Sequence, residues 1–167
     1  THEHPSINGL SFTGGTATGR TVAAPAAPLF KKLSLELGGK NATIVLDDAD
    51  MQQAVDGAVR AAFTNSGQVC LCGSRILVQA RIAEEFNAAF VKAVSSMKIG
   101  APGDEESQIG TVISMEHLNK VESYIDLAME EGGTILTGGT RAMTGRLGPD
   151  HNGAYLAPTV VAGLSHL

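Results

Sequence analysis

Two short segments hold the residue types that covalent chemistry on a carbonyl carbon needs. Leu35-Glu36-Leu37-Gly38-Gly39-Lys40 sets a carboxylate beside a Gly-Gly turn, and Asn65-Ser66-Gly67-Gln68-Val69-Cys70 sets a thiol in a polar, glycine-containing loop. A thiolate adds to an electrophilic carbon, and a carboxylate can later take a proton from water to release the acyl group. Each residue has a plainer alternative. Cys70 alone reads equally as a small buried hydrophobe, Glu36 alone as a solvated strand residue, and Gly38-Gly39 as a simple turn. The occurrence of both segments, in this order, carries the functional reading. In that reading Gly38-Gly39, lacking Cβ atoms, admits a flat ring close to the backbone, while Gly67 lets the cysteine loop approach a ligand that Asn65 and Gln68 hydrogen-bond.

A third segment, Gly14-Gly15-Thr16-Ala17-Thr18-Gly19, follows a strand-like run and opens a helical stretch of small residues. Amides at such a helix start can cradle a phosphate. The spacing is not the G-x-G-x-x-G dinucleotide fingerprint, and a structural turn is the plain alternative. Cys72 makes a C-x-C with Cys70, but a metal would need two further ligands of matching geometry. His2 and His4 form an H-x-H near the start, and His117, His151 and His166 stand apart. Asp47, Asp48 and Asp50 read as helix-capping residues and a negative first turn rather than a cation site. No metal site is expected.

The elements that must position these groups follow from periodicity. Ile7–Phe12 reads as a short strand, followed by the glycine turn and a helix that Pro25 and Pro28 end. Leu33, Leu35 and Leu37 alternate with Ser34 and Glu36, a period-two strand over Lys32–Leu37. Ala42–Leu46 reads as a strand. Met51, Ala54, Val55, Ala58, Val59 and Ala62 recur at helical spacing, and Thr64–Gly73 is a loop. Arg75–Gln79 is a strand, Ile82 to Met97 an amphipathic helix, and Ser114 the cap of another helix that Gly132-Gly133 ends. Thr134–Thr137 and Tyr155–Val161 are strands on either side of an exposed loop, Gly138–Gly153. Helices alternating with short strands predict an α/β fold with crossover connections and parallel pairing.

Bulk properties exclude several classes. The chain has 167 residues, 43% of them apolar, and a net charge of −5 with scattered basic residues, which argues against nucleic acid or an anionic membrane as partner. No apolar run approaches the roughly 18 residues of a membrane helix. Two cysteines one residue apart cannot staple distant segments, so a reducing compartment is the expectation, and cytoplasm the location. With no initiator Met, the chain is expected to be an internal piece of a longer protein, inactive by itself.

Phe12-Thr13-Gly14-Gly15-Thr16-Ala17-Thr18-Gly19-Arg20, Leu35-Glu36-Leu37-Gly38-Gly39-Lys40-Asn41, Phe63-Thr64-Asn65-Ser66-Gly67-Gln68-Val69-Cys70 and Gly73-Ser74-Arg75 resemble the aldehyde dehydrogenase superfamily in content, order and spacing. Asp47-Asp48-Ala49-Asp50 and Tyr155-Leu156-Ala157-Pro158-Thr159-Val160 fit as well. The resemblance implies the end of a Rossmann-like NAD(P)-binding domain over residues 1–37 and much of an α/β catalytic domain over 38–167. It implies Cys70 as nucleophile, Glu36 as general base, NAD or NADP as cofactor, and a small-molecule aldehyde as substrate. Gly14, Gly15 and Gly19 would lie at the cofactor pyrophosphate, and Leu37 and Gly38 under the nicotinamide. It also implies a homo-oligomer for the full-length protein. The Val69-Cys70-Leu71-Cys72 run and the Gly-Gly-Thr turn resemble members acting on muconic semialdehydes. Gly15 stands where Ser is frequent, Val69 where many members carry Cys, and Cys72 where a small unreactive residue is usual. A coenzyme-A-acylating member and a catalytically silent relative are the alternatives; retention of Glu36 favours hydrolysis over the first, and retention of Cys70 with Glu36 argues against the second.

Overall fold

A computed structural model of the chain describes residues 3–142 and 153–165. The chain forms two compact units, Thr1–Lys40 with Val69–Leu71 and Asn41–Gln68 with Cys72–Leu167.

The first unit is a strand–helix–strand crossover. β1 (Gly9–Gly14) and β2 (Lys32–Leu37) pair in parallel, with Phe12 opposite Leu35, Thr13 opposite Glu36 and Gly14 opposite Leu37. α1 (Thr16–Ala26) joins them, as parallel pairing requires of a crossover. The expected strand Ile7–Phe12 is thus shifted by two residues toward the glycine turn. Pro25 lies inside α1 rather than ending it, and Pro28 falls in a short 3-10 turn, Ala27–Leu29. A proline in the last turn of a helix removes one backbone donor without stopping the chain from completing that turn.

The second unit begins with another crossover. β3 (Ala42–Val45) pairs in parallel with β4 (Arg75–Val78), and α2 (Met51–Phe63) lies between them in sequence. Asp50 caps α2 by accepting from Gln53 N at 2.9 Å, and Asp47 faces Arg81 at 3.4 Å. Asp50 is thus occupied by capping and Asp47 by a surface ion pair, while the first turn of α2, expected to be negative, holds no acidic residue. α3 (Ala83–Ser95) packs with α2 through Val55, Ala58, Phe86, Phe90 and Val94, all buried, together with Val45 of β3. The Phe86 and Phe90 rings stack with centroids 5.6 Å apart. α4 (Met115–Glu130) is capped by Ser114, whose hydroxyl accepts from His117 N at 3.1 Å. Its Leu118 belongs to a second apolar cluster with Val112, Ala154 and Leu156.

β5 (Thr134–Thr137) and β6 (Val160–Ala162) pair antiparallel, which corrects the expectation of parallel pairing throughout. β6 is also shorter than the strand expected over Tyr155–Val161. Pro158 has no N–H for a ladder, and the Thr159 hydroxyl accepts from Gly139 N and donates to Ala157 O instead. Among the described residues, an isolated antiparallel bridge between Arg141 and Leu156 lies just ahead of β6. The expected loop Gly138–Gly153 lies largely outside the described residues. Among the described residues, no helix is long and apolar enough to cross a membrane.

Candidate active site

The β1–α1 turn is open and uncapped. Gly15 is the N-cap of α1, with φ −70° and ψ 147°, no side chain caps the helix, and its first turn holds no acidic residue. Gly19 N donates to Gly15 O at 2.9 Å, so the amides of Thr16, Ala17 and Thr18 precede the helical ladder. A Cβ on Gly15 would meet nothing within 4 Å. A helix start with its amides forward, no competing carboxylate and an open approach fits an anion such as a dinucleotide pyrophosphate.

Gly14 and Gly19 are closely packed. A Cβ on Gly14 would lie 2.6 Å from Phe12 Cζ, and one on buried Gly19 would lie 2.7 Å from Leu37 Cδ2. The bare Gly19 lets α1 settle on the end of β2. Gly38 and Gly39 differ from both. Neither has a positive φ, and a Cβ on either would meet nothing within 4 Å. The chain's own backbone and packing do not require glycine there, which leaves room for a flat group over residues 38–39.

Glu36 is the penultimate residue of β2. Leu37 faces Gly19 of α1, so the period-two pleat turns Glu36 and Ser34 to the other face of the β1–β2 pair, where Glu36 is exposed beside Thr13. The segment Val69–Leu71, which carries Cys70, belongs to the same compact unit as β1, α1 and β2. The Cys70 side chain is exposed, whereas Cys72 is buried, with its Sγ 3.9 Å from Thr64 O. Beside Cys72, Gly73 N donates to Ala61 O at 2.9 Å, and the Thr43 hydroxyl donates to Gly73 O at 3.4 Å. Packing against the end of α2 thus accounts for Cys72, and exposure distinguishes Cys70.

The approach to Cys70 is a turn of left-handed backbone. Asn65 has φ 53° and ψ 42°, Ser66 has φ 56° and ψ 33°, and Gly67 has φ 75°. Glycine is the residue that takes this conformation without a Cβ penalty, and a Cβ on Gly67 would also press to 3.3 Å from Ala62 O. Gln68 does not stand ready for a ligand, as the sequence suggested. Its Nε2 donates to Asn65 O (3.2 Å) and Thr111 O (3.4 Å), and its Oε1 accepts from Ile113 N (2.9 Å). The Ser66 hydroxyl donates to Gly110 O at 3.2 Å. The Gly110–Ile113 segment was invisible to motif reasoning; a Gln in a tight polar loop was the one signal for it.

His4 accepts from Ser6 N, and His117 lies in the first turn of α4. His2, His151 and His166 lie outside the described residues. Among the described residues, no three His, Cys, Asp or Glu side chains cluster as metal ligands would. An open cleft of about 760 Å³ between β4, α3 and β6 is lined by Phe63, Ile76, Phe90, Val160 and Leu164, and holds neither Cys70 nor Glu36.

The sequence profile of the Aldehyde dehydrogenase family matches residues 1–166. The 2-aminomuconic 6-semialdehyde dehydrogenase of Pseudomonas sp. is 43% identical over 164 residues, which are 98% of this chain and 33% of that protein. The 2-aminomuconic semialdehyde dehydrogenase of Danio rerio is 44% identical over 163 residues, 96% of this chain and 33% of that protein. The chain therefore spans about a third of the length of these curated relatives. Among solved structures, betaine aldehyde dehydrogenase of Staphylococcus aureus in complex with NAD+ superposes with a TM-score of 0.90 at 43% identity, covering 96% of this chain and 31% of that one. A double mutant of that enzyme, with NAD+ and a BME-modified cysteine, superposes with a TM-score of 0.89 at 43% identity, covering 96% of this chain and 32% of that one. PnpE of Pseudomonas sp. WBC-3 superposes with a TM-score of 0.90 at 41% identity, covering 96% and 32%. A profile match over nearly every residue establishes that the chain belongs to the aldehyde dehydrogenase family.

Proposed function

We propose that the protein carrying this chain oxidises an aldehyde to a carboxylic acid with NAD or NADP, through a thioester on Cys70. One observation carries the reading: the exposed cysteine segment and the Glu36 strand belong to a single compact unit, together with an open, uncapped β1–α1 turn. Residues 1–37 are assigned to the cofactor domain and 38–167 to the thiol-bearing domain. The division of the chain at Lys40/Asn41 supports the boundary, while Val69–Leu71, the segment with Cys70, groups with the first unit rather than with the rest of 38–167.

Cys70 Sγ, as thiolate, adds to the aldehyde carbon and forms a thiohemiacetal. NAD or NADP, when bound, supplies the hydride acceptor through which this adduct becomes a thioester. The amides at the start of α1, with Gly15 and Gly14 at the turn, would hold the pyrophosphate, and Leu37 with the open Gly38 would lie under the flat nicotinamide ring. Gly19 acts beneath them, holding α1 against Leu37. Glu36 then takes a proton from water, which attacks the thioester carbon and releases the acid with the Cys70 thiolate restored. The relatives named for muconic semialdehydes, with the Val69-Cys70-Leu71-Cys72 run, support a semialdehyde of that class as substrate.

The test is a pair of single variants of the full-length protein. Cys70→Ala should abolish aldehyde oxidation, whereas Cys72→Ala should retain most of it. An active Cys70→Ala protein beside a dead Cys72→Ala protein would reverse the assignment. Turnover of 2-hydroxymuconic semialdehyde set against betaine aldehyde addresses the substrate class.

A further inference from the structure

Two side chains tie the turn before Cys70 to a segment more than forty residues away. Gln68 reaches both Thr111 O and Ile113 N, and Ser66 reaches Gly110 O. Gln68 also closes back on Asn65 O through its Nε2, while its own backbone N–H donates to the same carbonyl at 3.1 Å. The distant segment is itself anchored. Val112 N donates to Ala154 O at 2.9 Å, and the Val112 side chain is buried with Leu118 and Ala154. Ile113 is 85% exposed, so it serves this network through its backbone.

Asn65 and Ser66 lie in left-handed conformations that L-residues with a Cβ adopt at a cost. Such a turn persists only where the surroundings over-determine it. A carboxamide is the side-chain group that offers a donor and an acceptor at this reach. A carboxylate there would face two carbonyl oxygens, and an alkyl group would leave Ile113 N–H and Thr111 O unmet.

We propose that Gln68 is a positioning residue for the nucleophile: by locking the left-handed Asn65–Ser66–Gly67 turn onto Gly110–Ile113, it fixes the chain that presents Cys70 two residues later. This rests on Cys70 as the nucleophile. Gln68 acts through Cys70, its own carboxamide being engaged by the backbone of Asn65, Thr111 and Ile113.

The experiment compares Gln68→Leu and Gln68→Glu in the full-length protein, with active sites titrated. In Gln68→Leu, kcat should fall by about 100-fold with the aldehyde KM changed by less than about threefold, the size of loss that small misplacement of a reacting group brings. Alkylation of Cys70 by iodoacetamide, measured without aldehyde or cofactor, should slow by about tenfold. Amide exchange at Ile113 should rise in Gln68→Leu and stay protected in Gln68→Glu, which keeps the acceptor but loses both donated bonds. Gln68→Glu should still lose about tenfold in kcat, and it carries the test alone if Gln68→Leu does not fold. Val94→Ala, in the separate α2–α3 core, should lower Tm yet leave kcat per titrated site and alkylation unchanged. Unaltered kcat and alkylation in the Gln68 variants, with Ile113 exchange raised in Gln68→Leu, would overturn the positioning role. A Cys70→Ala protein that still turns over would instead overturn the nucleophile assignment beneath it.

Discussion

Gly19→Ala tests whether α1 is docked on β2 in the way the structure has it. The new Cβ would lie 2.7 Å from Leu37 Cδ2 and 3.4 Å from Cδ1. Carbon atoms at rest sit about 3.5–4.0 Å apart, so one contact is well inside that distance. Overpacking of this kind costs about 1–3 kcal/mol. Against it, alanine is favoured over glycine in a helix by about 0.8–1.0 kcal/mol. The net expectation is a destabilisation of about 0–2 kcal/mol, with Leu37 yielding because Cδ2 is the end of a flexible side chain. A single value in that range is weak proof, so the decisive form is a double-mutant cycle with Leu37→Ala. Removing Cδ1 and Cδ2 abolishes the clash, and the methyl group introduced by Gly19→Ala fills part of the space they leave. The double variant should be more stable than the sum of the singles by about 1–2 kcal/mol. Urea-unfolding free energies of the four full-length proteins measure it. Additivity within about 0.3–0.5 kcal/mol would refute the Gly19–Leu37 contact as the reason for glycine.

Gly73→Ala should also destabilise, by about 1–3 kcal/mol, because its Cβ would overlap the Oγ1 of Thr43, whose β-branched side chain has little freedom to turn away. Thr43→Ala in the same protein should recover most of that loss in a thermal melt, and no recovery would mean the overlap is not the cause. Glu122 accepts from Arg141 Nε at 2.7 Å and from Nη2 at 2.8 Å, and the Arg141 hydrogen bond, assisted by its charge, holds the Glu122 carboxyl below its usual pKa. A folded-state pKa below the unfolded one contributes stability that is full above the unfolded carboxyl value, about 4.3, and is lost as pH falls through the folded value. Arg141→Met should therefore flatten the acid side of the stability profile while changing little above the neutral range's lower edge beyond a constant offset. An acid limb identical to the parent's would remove this pair from the account.

Much of the scaffold was legible because its signals are local. The alternation of Leu33, Leu35 and Leu37 set β2 at Lys32–Leu37, and the apolar spacing from Met51 to Ala62 set α2. Asp50 and Ser114 marked helix starts that the structure caps with those side chains. The antiparallel β5–β6 pairing was not legible, because strand direction is decided by which distant segment supplies a partner. Nor was the shortening of β6, although Pro158 was the residue to weigh. Within the site, residue type and order pointed to Glu36 and Cys70. The left-handed turn and the engagement of Gln68 with Thr111 and Ile113 could not be read, since no local pattern specifies a hydrogen-bond partner more than forty residues on. Gly19 was legible as a special glycine of the turn, but its close contact with Leu37, a residue of β2, was not.

In the proposed reaction Cys70 and Glu36 act in sequence on one acyl group, the first in forming it and the second in releasing it. Rapid-mixing kinetics of the full-length Glu36→Gln protein test this most directly. Glutamine keeps the shape of Glu36 but takes no proton, so thioester formation should survive and hydrolysis should not. The expected result is a burst of NADH or NADPH close to one equivalent per active site, followed by steady turnover lowered by about 10²-fold or more. Intact mass in the slow phase should then show the acyl group on the protein, and it should be absent when Cys70→Ala is added. Loss of burst and steady-state turnover in equal measure would contradict the division of roles between the two residues.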